Sequence, residues 1–263
     1  MVTLRKGLSV CALLLLTGAA SAAVVYSTSF ENPPFALGSI NGQDSWANGS
    51  GTGQSQSIVN SYARTGTQSL MWDNRSTFNS FYSVRRAFDG QAGTITVSTP
   101  LEISVWLWID PAVSQPERLY GLYATNSGTG TLGGTALGIT ISGDGRLRAG
   151  TTWSSTYSGP VLYQNPALVG NWVQLVLQYN GTGGKAFVFD SGANQLWYTS
   201  FASVSLANAN GTGTNSWNIN LGTDYNLTSD RAGLAYMDDL VVVPEPAGLV
   251  GALAALLMLS RRR

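Results

Sequence analysis

The stretch Leu101-Glu102-Ile103-Ser104-Val105-Trp106-Leu107-Trp108-Ile109-Asp110 decides the fold. A β-strand sends successive side chains to opposite faces. Leu101, Ile103, Val105, Leu107 and Ile109 therefore share one apolar face, and Glu102, Ser104, Trp106, Trp108 and Asp110 share a second that is half aromatic and half polar. The pattern recurs downstream, where Val173, Leu175, Leu177 and Tyr179 oppose Trp172, Gln174, Val176 and Gln178. Turn signals at Asn48-Gly49, Asp89-Gly90, Gly143-Asp144-Gly145, Asn180-Gly181 and Asn210-Gly211 separate such runs. No helix-length amphipathic pattern interrupts them. Many short antiparallel strands in one domain predict an all-β sandwich or barrel.

Both ends of the chain differ from this interior. Arg5 and Lys6 precede an apolar run from Leu8 to Leu16, and Ala20-Ser21-Ala22 supplies small residues at the right offset. Residues 1–22 therefore read as a secretory signal peptide, with Ala20, Ala22 and Ala23 around the cleavage site. Signal peptidase and the secretion translocon are the implied partners. Cys11, the single cysteine, lies inside this segment, so the domain of residues 23–243 must be stabilised by burial alone. Its length of about 220 residues suffices for one substantial core. At the other end Val243-Pro244-Glu245-Pro246 is followed by an uncharged run from Ala247 to Leu259 and then Arg261-Arg262-Arg263. The run is shorter than the about 20 residues of an ordinary membrane span. It reads as a short transmembrane helix that the arginines hold on the cytoplasmic side. The prolines separate it from the last folded element.

Setting aside Arg5, Lys6 and the terminal arginines leaves nine of fourteen basic residues, and setting aside Glu245 leaves thirteen of fourteen acidic ones, a net charge near −4. That excludes a nucleic-acid binder, which needs a basic face. Aromatic residues at 10% and charged residues at 11% also exclude a disordered chain.

The tail, residues 244–263, resembles the PEP-CTERM sorting signal of Gram-negative bacteria, in which Pro-Glu-Pro, a short apolar segment and an arginine cluster follow in that order. The same tail is sometimes labelled an ice-binding protein C-terminal domain, a label that implies sorting and no affinity for ice. The resemblance implies an exosortase-type transpeptidase as partner, transit through the inner membrane, and delivery to the cell surface or extracellular matrix. In the interior, Ser29-Phe30-Glu31 with Gly42-Gln43-Asp44-Ser45-Trp46, the hairpin from Asn171 to Phe189, and Met237-Asp238-Asp239-Leu240-Val241-Val242 are similar to a concanavalin A-like, laminin G-type jelly roll, or to that of carbohydrate-binding modules. The resemblance implies a calcium ion held by Glu31, Asp238 and Asp239, whose hard oxygens suit it. Adjacent aspartates equally serve to cap a turn or face solvent. Strict alternation puts Asp238 on the face of Leu240 and Val242.

The absence of histidine rules out Ser-His-Asp and Cys-His catalysis as usually built, and imidazole zinc sites with them. A glycosidase needs two carboxylates across the scissile bond. Glu102 and Asp110 share a face but stand about 26 Å apart at about 3.3 Å per residue. A non-enzymatic chain is expected. Trp106, Trp108, Trp172, Gln174 and Gln178 form the candidate sugar-binding face if their strands share a sheet, since flat rings cover sugar faces and amides orient hydroxyls. Tyr82 and Arg86 are candidates to join it. The alternative is that the indoles form a second core layer. The sequence thus describes an exported β-sandwich that binds polysaccharide; a purely structural surface protein, and a polysaccharide lyase or hydrolase on the same fold, remain the alternatives.

Overall fold

Period-two segments become strands because each can bury one face against a second sheet. The computed structural model describes residues 24–50, 56–75, 82–88, 100–127, 132–204, 213–225 and 232–244. The signal segment with Ala20, Ala22 and Ala23, and the tail positions Glu245, Pro246, Arg261, Arg262 and Arg263, lie outside them. Among the described residues the strands are β1 (Tyr26–Thr28), β2 (Gly38–Ser39), β3 (Trp46–Ser50), β4 (Gln56–Val59), β5 (Ser69–Asp73), β6 (Tyr82–Ala87), β7 (Leu101–Ile109), β8 (Arg118–Ser127), β9 (Thr135–Ser142), β10 (Arg146–Gly150), β11 (Tyr163–Gln164), β12 (Val173–Tyr179), β13 (Gly184–Phe189), β14 (Gln195–Phe201), β15 (Gly213–Tyr225) and β16 (Leu234–Pro244). A five-residue helix α1 (Trp153–Tyr157) follows β10 and starts with a capping box between Thr152 and Ser155. No described helix is long and apolar enough to cross a membrane.

The strands form two antiparallel sheets. One runs β14-β13-β12-β7-β16-β5-β4-β2, with β1 also paired to β16; the other runs β11-β10-β9-β8-β15-β6-β3. The Leu101-to-Ile109 face packs inward, as do Val173, Leu175, Leu177 and Tyr179, against Tyr120, Leu122, Ile139, Ile219 and Leu221 of the opposite sheet. Trp46, Trp72 and Trp217 are at most 1% exposed in this core. Each such side chain contributes about 1.5–3 kcal/mol or more by leaving water, which is how a cysteine-free domain holds together. Val243 and Pro244 are the last residues of β16, paired with Glu102 and Leu101 of β7. The final strand thus extends into the first proline of the predicted tail.

Two local expectations are corrected. Asn48-Gly49 is not a turn but sits inside β3, where the pairing with β6 shifts between Asn48 and Ser50, so the glycine serves a bulge. Asp238 does not share a face with Leu240 and Val242. The β16–β7 register shifts between Asp238 and Val241, and Asp239 adopts φ 47°. This bulge sends Leu240 and Val242 into the core and leaves Asp238 opposite Trp106.

Candidate functional site

β7 and β12 are neighbours in one sheet, with Gln174 opposite Trp106, Val176 opposite Ser104 and Gln178 opposite Glu102. Trp106, Trp108, Trp172, Gln174 and Gln178 are thus brought together on the outer face of the nine-stranded sheet, as alternation predicts. That face divides into a covered half and an open half.

The covered half carries the tryptophans. Residues 60–68, between β4 and β5, fold across it as a strap. Tyr62 packs at 4.6 Å from Trp108, 5.1 Å from Tyr236 and, nearly parallel, 5.6 Å from Trp172. The Arg64 guanidinium lies 3.6 Å over the Trp106 ring, which is only 8% exposed. Trp106 is packed away here, whereas Trp108 and Trp172 are half-buried and keep part of their surface in water.

The strap is held by the three acids that the jelly-roll resemblance assigned to calcium. Asp238 accepts from the backbone N–H of Arg64 (2.9 Å), Thr65 (3.1 Å) and Asp239 (2.8 Å). Asp239 accepts from Arg64 Nη1 (2.7 Å) and Thr65 Oγ1 (2.6 Å). Glu31 accepts from the N–H groups of Thr67 and Gln68 and from Thr67 Oγ1 at 2.7–2.8 Å. Gly66, at φ 62°, lets Glu31 approach, since a Cβ there would collide with its carboxylate. Every oxygen of the three carboxylates already accepts a hydrogen bond, and no three acidic, histidine or cysteine side chains converge among the described residues. In this arrangement the three acids clamp the strap. Burial pushes the Asp238 carboxyl up to about 7, against the pull of the Thr65 and Arg64 amides. At Glu31 burial also disfavours the charge, but the Gln68 amide and the Thr67 hydroxyl and amide outweigh it and hold the carboxyl below its ordinary value.

The open half begins where the strap ends. Glu102, Gln174, Val176, Gln178, Phe187, Phe189 and Ala193 line a groove of about 310 Å³. Phe187 and Phe189 are stacked at 5.9 Å, and Tyr198 of β14, 58% exposed, stacks on Phe187 at 6.0 Å. Gln178 Nε2 donates to Glu102 Oε2 at 2.7 Å. Sequence reasoning had the two glutamines and missed the rings beside them. The signal was present, because Phe187 and Phe189 alternate with Ala186 and Val188, which are in the core.

Tyr82 and Arg86 do not join this face. They lie on β6, in the other sheet, and point inward: Tyr82 is 4% exposed in the core, and Arg86 lies 4.0 Å over the Tyr26 ring and pairs with Asp44 at 3.1 Å. The outer face of that second sheet holds a different group, also missed. Tyr123 of β8 lies over strand glycines: a Cβ added at Gly138 would come within 2.8 Å of its ring, and one at Gly121 or Gly222 within 3.2 Å. Asn220 is its cross-strand neighbour and donates to Thr125 Oγ1 at 2.8 Å. Tyr123, Thr125 and Asn220 are each 0% exposed, so this is a closed polar layer and not an open surface. Glycine inside a strand marks such close approach.

No sequence profile of a known protein family matches the chain, and no curated protein does. Solved structures do match. The chain is similar to an endo-β-1,4-glucuronan lyase from the fungus Trichoderma reesei, with 14% identity and a TM-score of 0.52 over 84% of this chain and 95% of that one. It also matches lectin II from Ulex europaeus, with 10% identity and a TM-score of 0.47 over 85% and 99%. A third match is the C-terminal family 22 carbohydrate-binding module of Clostridium thermocellum Xyn10B, with 14% identity and a TM-score of 0.39 over 84% and 92%. The likeness shows the fold alone, a jelly-roll β-sandwich of two antiparallel sheets.

Proposed function

We propose that this chain is an exported, non-enzymatic polysaccharide-binding protein that meets its glycan in the groove beside Glu102 and Gln178. One observation carries the reading. The groove sets half-buried, mutually stacked phenyl rings against a hydrogen-bonded amide–carboxylate pair, and that combination of flat apolar area and a few fixed polar groups suits a sugar ring. The fold shared with a lyase named for glucuronan supports a polysaccharide as the ligand class and bears neither on catalysis nor on the charge of the chain bound. In this proposal the signal peptide of residues 1–22 sends the chain through the translocon, and signal peptidase cuts before Ala23. An exosortase-type enzyme then processes the 244–263 tail at the inner membrane, and the protein reaches the cell surface or matrix of a Gram-negative bacterium.

The test of binding is calorimetric titration of the purified protein against a panel of soluble oligosaccharides. Phe187→Ala and Gln178→Ala should each weaken a bound glycan by about tenfold, or about 1.4 kcal/mol, while Trp106→Ala leaves affinity unchanged. Undiminished affinity in both groove variants removes the site, and no affinity in the wild type leaves a purely structural surface protein. Intact mass and cell fractionation of a Pro244-Glu245-Pro246 to triple-alanine variant test the sorting: the variant should stay whole in the inner membrane, and surface delivery of an unprocessed chain defeats the proposal.

A further inference from the structure

We infer that the groove selects neutral hexose chains and rejects polysaccharides that carry carboxylates; this rests on the glycan-binding reading above. The argument is one of donors and acceptors. Glu102 is the one charged side chain among the groove-lining residues, and its neighbours there are two amides and apolar groups. The bond from Gln178 Nε2 to Glu102 Oε2 fixes which end of that amide is which. A sugar hydroxyl, the C6 hydroxyl of a neutral hexose included, can donate to a Glu102 oxygen and accept from a glutamine N–H. A uronate carboxylate only accepts. Against Glu102 it places two acceptors and two negative charges together with no proton between them, in a cleft whose stacked rings reduce screening.

The surrounding charges do not reverse this. Arg64, at the strap end, is already committed to Asp239 and to the Trp106 ring. Asp190, at the other end, accepts from the Asn194 side chain and adds a second negative charge. Lys185 is opposite Gln178 on β13, one strand further from Glu102, and stands exposed in water. It shares the outer face with Gln178 and Glu102, but two strand spacings of about 4.8 Å separate its backbone from that of Glu102, and across about one Debye length of water its solvated charge is partly screened and weaker than a contact with Glu102.

The experiment compares two oligosaccharides that differ only at C6: a β-1,4-glucan oligomer and the matching glucuronan oligomer, titrated into the wild type, Glu102→Gln and Lys185→Ala. The wild type should bind the neutral chain at least about tenfold more tightly, an order that a single like-charge contact supports. Glu102→Gln should close that gap by strengthening the uronate and weakening the glucan, a crossed effect that general loss of structure cannot produce. Lys185→Ala should leave the ratio unchanged. Equal or tighter binding of the uronate, or an unchanged ratio in Glu102→Gln, overturns the selectivity while leaving glycan binding in place. Binding of neither chain overturns the glycan reading and the selectivity with it.

Discussion

The strap over the tryptophans is tested by Tyr62→Ala. The ring of Tyr62 makes three aromatic contacts, to Trp108, Trp172 and Tyr236, at 4.6, 5.6 and 5.1 Å. Such pairs are worth about 0.5–1.5 kcal/mol each beyond the area they bury, which sums to about 1.5–4.5 kcal/mol. Tyr62 is 37% exposed, so its own transfer from water adds only part of the usual value for a buried aromatic. The strap stays tied through Arg64, Thr65 and Thr67, which limits the rearrangement. A loss of about 2–4 kcal/mol follows, below the about 3–5 kcal/mol of a fully buried aromatic truncation. Urea unfolding followed by tryptophan fluorescence measures it, and acrylamide quenching of the folded variant reads the exposure of Trp108 and Trp172. A loss under about 1 kcal/mol with unchanged quenching would refute the packing of the strap on these rings.

Asp238 gives a pH prediction. With its carboxyl at about 7 when folded, against 3.8 for a free aspartate side chain, the folded chain holds a proton that the unfolded chain has released, so this contribution to stability is greatest below the lower value and is lost as pH rises through the upper one. Relative to Asp238→Asn, the wild type should therefore lose up to about 4 kcal/mol between about pH 4 and about pH 8; a difference that grows in the opposite direction on urea midpoints defeats the assignment. Trp217→Ala removes an indole that is 0% exposed and meets Tyr179 edge-on at 5.2 Å, and should cost about 3–5 kcal/mol in the same unfolding assay. Gly138→Ala drives a methyl into the Tyr123 ring at 2.8 Å and Thr156 Cγ2 at 3.0 Å. It should cost about 1–3 kcal/mol and alter the near-ultraviolet dichroism of the stacked Trp153–Tyr157 pair.

What the sequence could show depended on how local the cause was. The inward face of β7 was legible because alternation is a property of one strand, and Leu101 through Ile109 need no partner to declare it. The turns at Gly143-Asp144-Gly145 and Asn180-Gly181 were legible for the same reason, since they join β9 to β10 and β12 to β13. The strap was not. Tyr62 and Arg64 sit in a stretch without period, and the acids that hold it lie 173 to 175 residues away for Arg64 and Thr65. Asp238-Asp239 could be seen as unusual, but only the bulge in β16 shows how consecutive strand residues both turn to one loop. Tyr82 and Arg86 share β6, and which sheet that strand joins is a question of non-local pairing that their spacing does not answer.

The acids assigned to calcium by resemblance and the tryptophans of the candidate sugar face meet one and the same connection. The carboxylates accept from strap donors, and Trp106, Trp108 and Trp172 pack against Arg64 and Tyr62, Trp108 and Trp172 staying half-buried. Both sets of residues are engaged by the same nine-residue connection, so residue type alone could not reveal their role. The strap also determines what remains. It occupies the sheet over Trp106 and Trp108, and the accessible face starts at Gln174 and continues across β12 and β13 to Tyr198 on β14. In the groove on that remainder the polar groups are Glu102 and two glutamines and the apolar ones include two phenyl rings, with Lys185 exposed beside Gln178. A ligand that reaches this face must bring hydroxyl donors to a carboxylate and a flat apolar side to the rings, and a neutral hexose has both.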